Sequence, residues 1–186
     1  MKRLVFSFLA ACGGGSSDSP PVDVPTIDAA IDAVDAPAGG FAICTGACTT
    51  TTLTATFAAP RGLDKAYYGV TMSPLSLHVE AYKNAPAGCP TQSSPNPDYT
   101  LILGRVPVPT DATASTSPGN ILDFKGDLLG GPLGSQATAV TITPTAAANV
   151  MAAGGFVALD AMLTFANGSV SGHLYATHCA SMDAAN

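Results

Sequence analysis

The chain has 186 residues, a formal net charge of −6 at pH 7 and a charged fraction of 11%. Seven lysines and arginines stand against thirteen acidic residues, which excludes the basic surface that nucleic-acid binding requires. The sequence contains no phosphate-binding G-x-x-x-x-G-K-[ST], no zinc-binding H-E-x-x-H and no dinucleotide fingerprint, so it predicts neither a metal nor a cofactor.

The amino terminus has the parts of a signal peptide in their usual order. Lys2 and Arg3 precede a mainly apolar run over residues 4–9, and two alanines then precede Cys12. The run is far shorter than the ~20 apolar residues that a membrane-spanning helix needs. Residues 1–11 are therefore predicted to be a signal peptide that is removed.

The motif Leu9-Ala10-Ala11-Cys12 resembles the lipobox of bacterial lipoproteins, in which a leucine and two small residues precede the modified cysteine. The resemblance covers only the first dozen residues. It implies that signal peptidase II cuts before Cys12 and that acyl chains on this residue hold the protein on a membrane. Because each buried methylene contributes about 0.8 kcal/mol, two or three chains give lasting attachment. The alternative is a soluble chain in which Cys12 is a plain thiol.

The resemblance also implies a location in the cell envelope. In this family, an aspartate directly after the cysteine retains the protein in the inner membrane. Gly13 occupies that position here, which favours the outer membrane over the inner one.

Residues 12–40 contain the lipidated cysteine and a segment rich in glycine, serine, proline, alanine and aspartate, with no aromatic residue. Such a composition buries too little apolar surface to offset its ordering entropy, so a disordered tether is predicted. Asp28, Asp32 and Asp35 are three or four residues apart, whereas a calcium loop places its ligands at alternate positions. The aspartates therefore favour a solvated tether over a metal site.

Residues 41–186 are predicted to form one all-β domain, a two-sheet antiparallel sandwich of about eight strands. Short runs of threonine, valine, leucine and tyrosine alternate with small polar residues and are broken by proline and glycine, which is a strand pattern. The predicted strands lie near residues 50–57, 66–71, 75–82, 100–106, 120–128, 137–143, 156–165 and 169–179.

The last two runs predict a hairpin closed by Asn167-Gly168, the preferred dipeptide of a two-residue turn with positive φ. This turn sets a register that separates an apolar face from a polar one. The apolar-face partners are Phe165 with Val170, Leu163 with Gly172, Ala161 with Leu174, Leu159 with Ala176, and Val157 with His178. The polar-face partners are Thr164 with Ser171, Met162 with His173, Asp160 with Tyr175, and Ala158 with Thr177.

Four cysteines remain in the domain, and an even number in an exported chain indicates two disulfides. Three pairings are open, of which Cys44 with Cys48 and Cys89 with Cys179 is favoured. The second bond would clamp a proline-rich loop to the end of the final strand. The alternative is a structural zinc site that uses these thiols and His178, although no paired C-x2-C spacing supports it.

Asp160, His173 and Tyr175 form the most suggestive polar cluster, on the outer face of the predicted hairpin. It is interpreted either as a surface recognition patch or simply as the polar face of a sheet, where such pairs are common. His78 and Glu80 are predicted to lie on an exposed strand face. Two proline-rich loops, at residues 85–97 and 107–118, are long enough to take part in recognition.

No catalytic set is recognised. The segment 168–172 has Val170 where a nucleophile elbow needs serine. The sequence therefore predicts a lipid-anchored envelope protein that is not an enzyme. It either serves a structural role or binds a partner, which would be another envelope protein or a glycan. The alternative is a carbohydrate-active or other hydrolytic enzyme that uses acids such as Asp160. It predicts a cleft with two carboxylates about 5 to 9.5 Å apart.

Overall fold

The structure is a computed structural model that describes residues 40–184. The predicted signal peptide, Cys12 and the predicted tether up to residue 39 lie outside the described residues. The all-β prediction is confirmed. The strands are β1 (Leu53–Thr56), β2 (Pro60–Leu63), β3 (Lys65–Met72), β4 (Leu75–Lys83), β5 (Tyr99–Val106), β6 (Gly119–Asp123), β7 (Gly134–Gln136), β8 (Ala139–Ala148), β9 (Phe156–Phe165) and β10 (Gly168–His178).

The described residues also contain two 3₁₀ helices, Gly46–Thr49 and Ala180–Met182. No helix within residues 40–184 has the length and apolar character needed to cross a membrane. The first 3₁₀ helix contains the disulfide-bonded Cys48, and the second directly follows the disulfide-bonded Cys179.

The predicted two-sheet antiparallel sandwich is wrong. The ten described strands belong to one open, strongly curled mixed sheet, a half-barrel, in the order β2-β1-β10-β3-β4-β5-β6-β7. Strand β10 is the centre of this arrangement, because β9 and then β8 continue the sheet from its other edge. Strand twist lets one sheet curl and bury its own inner face, so no second sheet is needed to cover the core.

The mixed character comes from the edge of β10 that faces away from β9. Along this edge, the first half of β10 pairs antiparallel with β1, at Ser169 to Ser171. The second half of β10 pairs parallel with β3, at Ala176 to His178. Gly172 lies between the two halves with φ of +132°, and a Cβ there would lie 2.4 Å from the Thr52 carbonyl oxygen. The exchange of partners along one edge therefore requires a glycine at this position.

The hairpin forms, but its register differs by two residues from the predicted one. Phe165 pairs with Gly168, so Ala166 and Asn167 form the turn, and neither has positive φ. A Cβ on Gly168 would lie 2.4 Å from Phe57 Cδ1 and 2.5 Å from the Thr56 carbonyl oxygen. Close packing against β1 therefore explains this glycine, rather than the turn conformation that was predicted.

Because a shift of two residues preserves the side-chain alternation, the predicted faces are correct although the partners are not. The inner face of β9 and β10 is buried, and Phe165 also packs on Phe57 at 5.4 Å between ring centroids. The core continues through β3, β4 and β5. Its fully buried large side chains are Leu53, Leu63, Tyr68, Leu77, Tyr99, Leu101, Leu103, Ile121, Leu128, Ile142, Leu159 and Leu163.

The eight predicted strands are present, and the sequence missed the short strands β2 and β7. The predicted strand over 120–128 ends early because Asp123 turns the chain. Its carboxylate accepts hydrogen bonds from the backbone N–H groups of Gly126, Leu128 and Leu129 at 2.6 to 2.8 Å. Such side-chain to backbone bonds compete with a sheet ladder and favour a turn.

Both favoured disulfides are present, Cys44–Cys48 and Cys89–Cys179. The alternative zinc site is excluded, since all four of these sulfur atoms are bonded in pairs. The second bond attaches the proline-rich loop at 85–97 to the end of β10, as predicted. The first closes a short loop beside the outer face of the same strand.

Candidate functional site

The candidate site is built around an acid–histidine pair on the outer face of the β9–β10 hairpin. In the observed register Asp160 faces His173, and 2.8 Å separates Asp160 Oδ1 from His173 Nδ1. The Asp160 side chain is 61% exposed, whereas that of His173 is 19% exposed. The carboxylate is therefore largely solvated while the imidazole is held within the structure.

The second nitrogen of His173 is also occupied. Nε2 lies 2.9 Å from the carbonyl oxygen of Cys48, which belongs to the small disulfide loop. A carbonyl only accepts, so Nε2 donates here, while Nδ1 faces the Asp160 carboxylate. The ring thus joins β9, β10 and the Cys44–Cys48 loop.

This acid–histidine pair lies between two shallow depressions, of about 670 Å³ and 370 Å³. The shared wall consists of Asp160 and His173, and the remaining lining is uncharged. An exposed apolar side chain lies in each depression, Ile43 in the larger and Met162 in the smaller. Hydroxyl groups supply most of the other polar surface, from Thr50, Thr52 and Thr145 in one and from Thr141, Thr143 and Ser171 in the other.

Tyr175, the third residue of the predicted patch, lies outside both depressions. It faces Ala158, and its ring stacks on Phe156 at 5.2 Å between centroids. Its backbone N–H and carbonyl both bond to the Thr51 hydroxyl. The two-residue change in register accounts for this, because it places His173 rather than Tyr175 opposite Asp160.

The two proline-rich loops do not converge on this site. The loop at 85–97 lines a depression of about 240 Å³ together with Glu80 and Phe124, and the loop at 107–118 lines another of about 260 Å³ with Pro144. Ser115 of the second loop pairs with Ile142 on the outer edge of β8. This loop therefore covers part of an edge strand, a common protection against unwanted strand pairing.

A second polar cluster lies on β4 and consists of His78, Glu80 and Tyr82. His78 and Glu80 were predicted to lie on an exposed strand face, but both are half-buried, and Tyr82 is buried. His78 Nε2 is 2.6 Å from Glu80 Oε1, and the Tyr82 hydroxyl donates to the other carboxylate oxygen. Although burial opposes ionisation, the hydrogen bonds from His78 and Tyr82 lower the pKa of Glu80. Burial and the bond to Glu80 raise the pKa of Tyr82. The alternation His78-x-Glu80-x-Tyr82 was the available signal, since it places all three on one face.

The arrangement around His173 does not match that of a hydrolase. In an acid–histidine–nucleophile triad Nε2 faces the nucleophile, whereas here it bonds to a backbone carbonyl. Among residues 40–184, the lining of each depression contains one carboxylate, that of Asp160, rather than the pair that glycoside hydrolysis uses.

Comparisons with protein-family models, with curated proteins and with solved structures found no match for the chain. The function is therefore inferred from the geometry of the described residues and from the motif at the amino terminus.

Proposed function

We propose that this chain is a lipid-anchored lipoprotein of the cell envelope whose curled sheet binds a protein partner without catalysing a reaction. The single observation that carries the binding role is the position of His173, held between Asp160 and the Cys48 carbonyl. A ring with both nitrogens engaged organises a surface but has no free site for accepting a substrate proton.

The two disulfides support the envelope location. Disulfides form and persist in oxidising compartments, which include the bacterial periplasm and cell surface. Both bonds lie in the described domain, and one of them joins residues 90 positions apart. They are the features that an exported protein carrying the Cys12 motif is expected to have.

The lining of the depressions favours a protein over a glycan. Among the described residues no phenylalanine, tyrosine or tryptophan lines either depression, and stacking on such rings is the usual means of holding a sugar. Ile43 and Met162 offer exposed apolar contacts on either side of the charged pair. Methionine adapts its shape to a partner, and apolar anchors beside polar groups are typical of protein interfaces.

The anchor is tested by Cys12→Ala in a bacterium with two membranes. We expect loss of metabolic lipid labelling and release of the protein into soluble fractions. Continued attachment of the unlabelled variant to membranes would contradict the proposal.

The sorting prediction needs its own variant. Gly13→Asp should move the protein from the outer to the inner membrane in a density-gradient separation, and Gly13→Ser, the control, should leave it in the outer membrane. If the wild-type protein and Gly13→Asp are found in the same membrane, the outer-membrane proposal fails.

The binding role is tested by a photo-activated cross-linking amino acid placed at Ile43, at Met162 or, as a control, at the exposed Leu133. We expect adducts from the first two positions that are lost on adding His173→Ala, and none from Leu133. Equal adducts at all three positions would refute the proposed surface. Turnover of a hydrolase substrate that Asp160→Asn abolishes would replace the binding role with catalysis.

A further inference from the structure

A third histidine–carboxylate pair is formed by the segment that follows β10. This segment crosses β3, with Cys179 N–H donating to the Tyr68 carbonyl at 2.8 Å and Ala184 N–H to that of Val70 at 3.0 Å. Gly69 permits the crossing, because a Cβ there would lie 2.2 Å from the Met182 carbonyl oxygen. The crossing places Asp183 beside His178.

The pair is oriented by several contacts. His178 Nε2 is 3.1 Å from Asp183 Oδ1, and the same oxygen accepts the Val70 N–H at 2.7 Å. The imidazole also packs on the Tyr68 ring, at 5.3 Å between centroids. When Nε2–H donates to the carboxylate, the neutral ring has its lone pair on Nδ1, which has no hydrogen-bond partner among residues 40–184.

This is the arrangement of a metal-binding histidine, whose other ring nitrogen usually donates to a carboxylate that fixes the tautomer and the ring orientation. It distinguishes His178 from His173, whose second nitrogen bonds to a carbonyl. The neighbouring side chains then decide which metal is favoured.

Two methionines share a depression of about 450 Å³ with His178 and Asp183. Met72 is 60% exposed and Met151 is 51% exposed, although both are large apolar residues. No lysine or arginine of the described part of the chain lines this depression, and the Asp183 carboxylate adds negative charge near a bound cation. Thioether sulfur is a soft ligand that prefers copper(I), and imidazole also binds copper.

We propose that Met72, Met151 and His178 bind a soft monovalent metal ion, copper(I), with Asp183 orienting the histidine. Binding transfers no electron and forms no covalent bond to carbon. No group of three His, Cys, Asp or Glu side chains within residues 40–184 is placed to hold a metal, so the site depends on its thioethers. The proposal is independent of the recognition surface at Asp160 and His173.

The test uses silver(I), which has the ligand preferences of copper(I) and needs no reductant that would open the disulfides. The full chain carries Cys12→Ser, because a free thiol at that position would itself bind silver. Calorimetric titration should show one silver ion per chain. With 13C-labelled methionine methyl groups, the NMR signals of Met72 and Met151 should shift in step with that binding.

Met72→Leu and Met151→Leu should each weaken silver binding at least tenfold, and His178→Gln should do the same. Met162→Leu is the matched control, because Met162 is also exposed, at 64%, but lies in a different depression. The two exposed leucine variants keep the test valid even if His178→Gln unfolds the protein. The proposal is overturned if silver does not bind, if Met72→Leu and Met151→Leu bind it as tightly as the parent chain, or if the Met162 methyl shifts equally.

Discussion

Asp160 and His173 lie directly opposite each other on β9 and β10, with 2.8 Å between Asp160 Oδ1 and His173 Nδ1. The far side of the ring bonds to the Cys48 carbonyl, so this pair connects the hairpin to a separate loop. Because the carboxylate is mostly solvated and the imidazole is not, the two residues should contribute unequally to stability.

Replacing each member of the pair should reveal this difference. Asp160→Asn is expected to lower the free energy of unfolding by less than about 1 kcal/mol, since exposed ion pairs contribute little. His173→Ala should cost about 1 to 3 kcal/mol, because it also leaves the Cys48 carbonyl without its donor. Urea unfolding with the disulfides intact measures both. Equal losses of stability in the two variants would show that the hydrogen bond from His173 to the Cys48 carbonyl adds nothing.

The two disulfides should differ in their effect on stability. In the chain-entropy account, a bond between residues 90 positions apart stabilises by about 4.5 kcal/mol, and one between residues 4 apart by about 2 kcal/mol. Serine at both Cys89 and Cys179 should therefore be far more damaging than serine at both Cys44 and Cys48. Thermal unfolding of the two double variants compares them directly. The account fails here if the Cys44 and Cys48 variant is the less stable.

The hydrogen bond from Tyr82 to Glu80 in the β4 cluster should contribute measurably to the free energy of unfolding. Tyr82→Phe removes a buried donor to the Glu80 carboxylate and should lower the free energy of unfolding by about 1.5 to 3 kcal/mol. Tyr67→Phe is a suitable control, because the Tyr67 hydroxyl is 3.5 Å from its acceptor, the Pro86 carbonyl oxygen, and should cost less than about 0.5 kcal/mol. Urea unfolding at neutral pH compares the two, and similar costs would contradict the assignment.

The same cluster predicts a dependence on pH. Because the pKa of Glu80 is lower in the folded protein, the unfolded chain takes up a proton at higher pH than the folded one. The stabilisation is complete above the unfolded value, near 4.5, and is lost as the pH falls through the lower folded value. The free energy of unfolding, measured from pH 6 down to about 2, should fall less steeply in Glu80→Gln than in the parent chain. An unchanged slope would exclude Glu80 as a contributor.

A substitution at Gly168 tests whether close packing against β1 is the reason for a glycine at this position. Gly168→Ala should cost about 1 to 3 kcal/mol, since the new Cβ would overlap Phe57 and the Thr56 carbonyl. Gly104→Ala is the control, because a Cβ at that strand position meets nothing within 4 Å. Denaturant unfolding compares the variants. If Gly168→Ala costs no more than Gly104→Ala, packing against β1 is not the reason for this glycine.

Local patterns in the sequence were sufficient for the all-β class, for most strands and for the faces of the hairpin. Alternation with period two reports which side chains point inward, and it is insensitive to a shift of two residues. The partners of Asp160 were therefore wrong although its face was right. The favoured cysteine pairing was also correct. Cys44 and Cys48 are only 4 positions apart, so the chain itself keeps them close, whereas Cys89 and Cys179 are 90 positions apart.

Tertiary structure alone decided the rest, because those features depend on contacts between distant segments. The single curled sheet arises from the parallel pairing of β10 with β3, which no local pattern indicates. The observed register places His173, and not Tyr175, beside Asp160, and it leaves no room for a Cβ on Gly168 next to Phe57. The final segment crosses β3 at Gly69 and thereby brings Asp183 to His178. No pattern in the sequence predicted this pair.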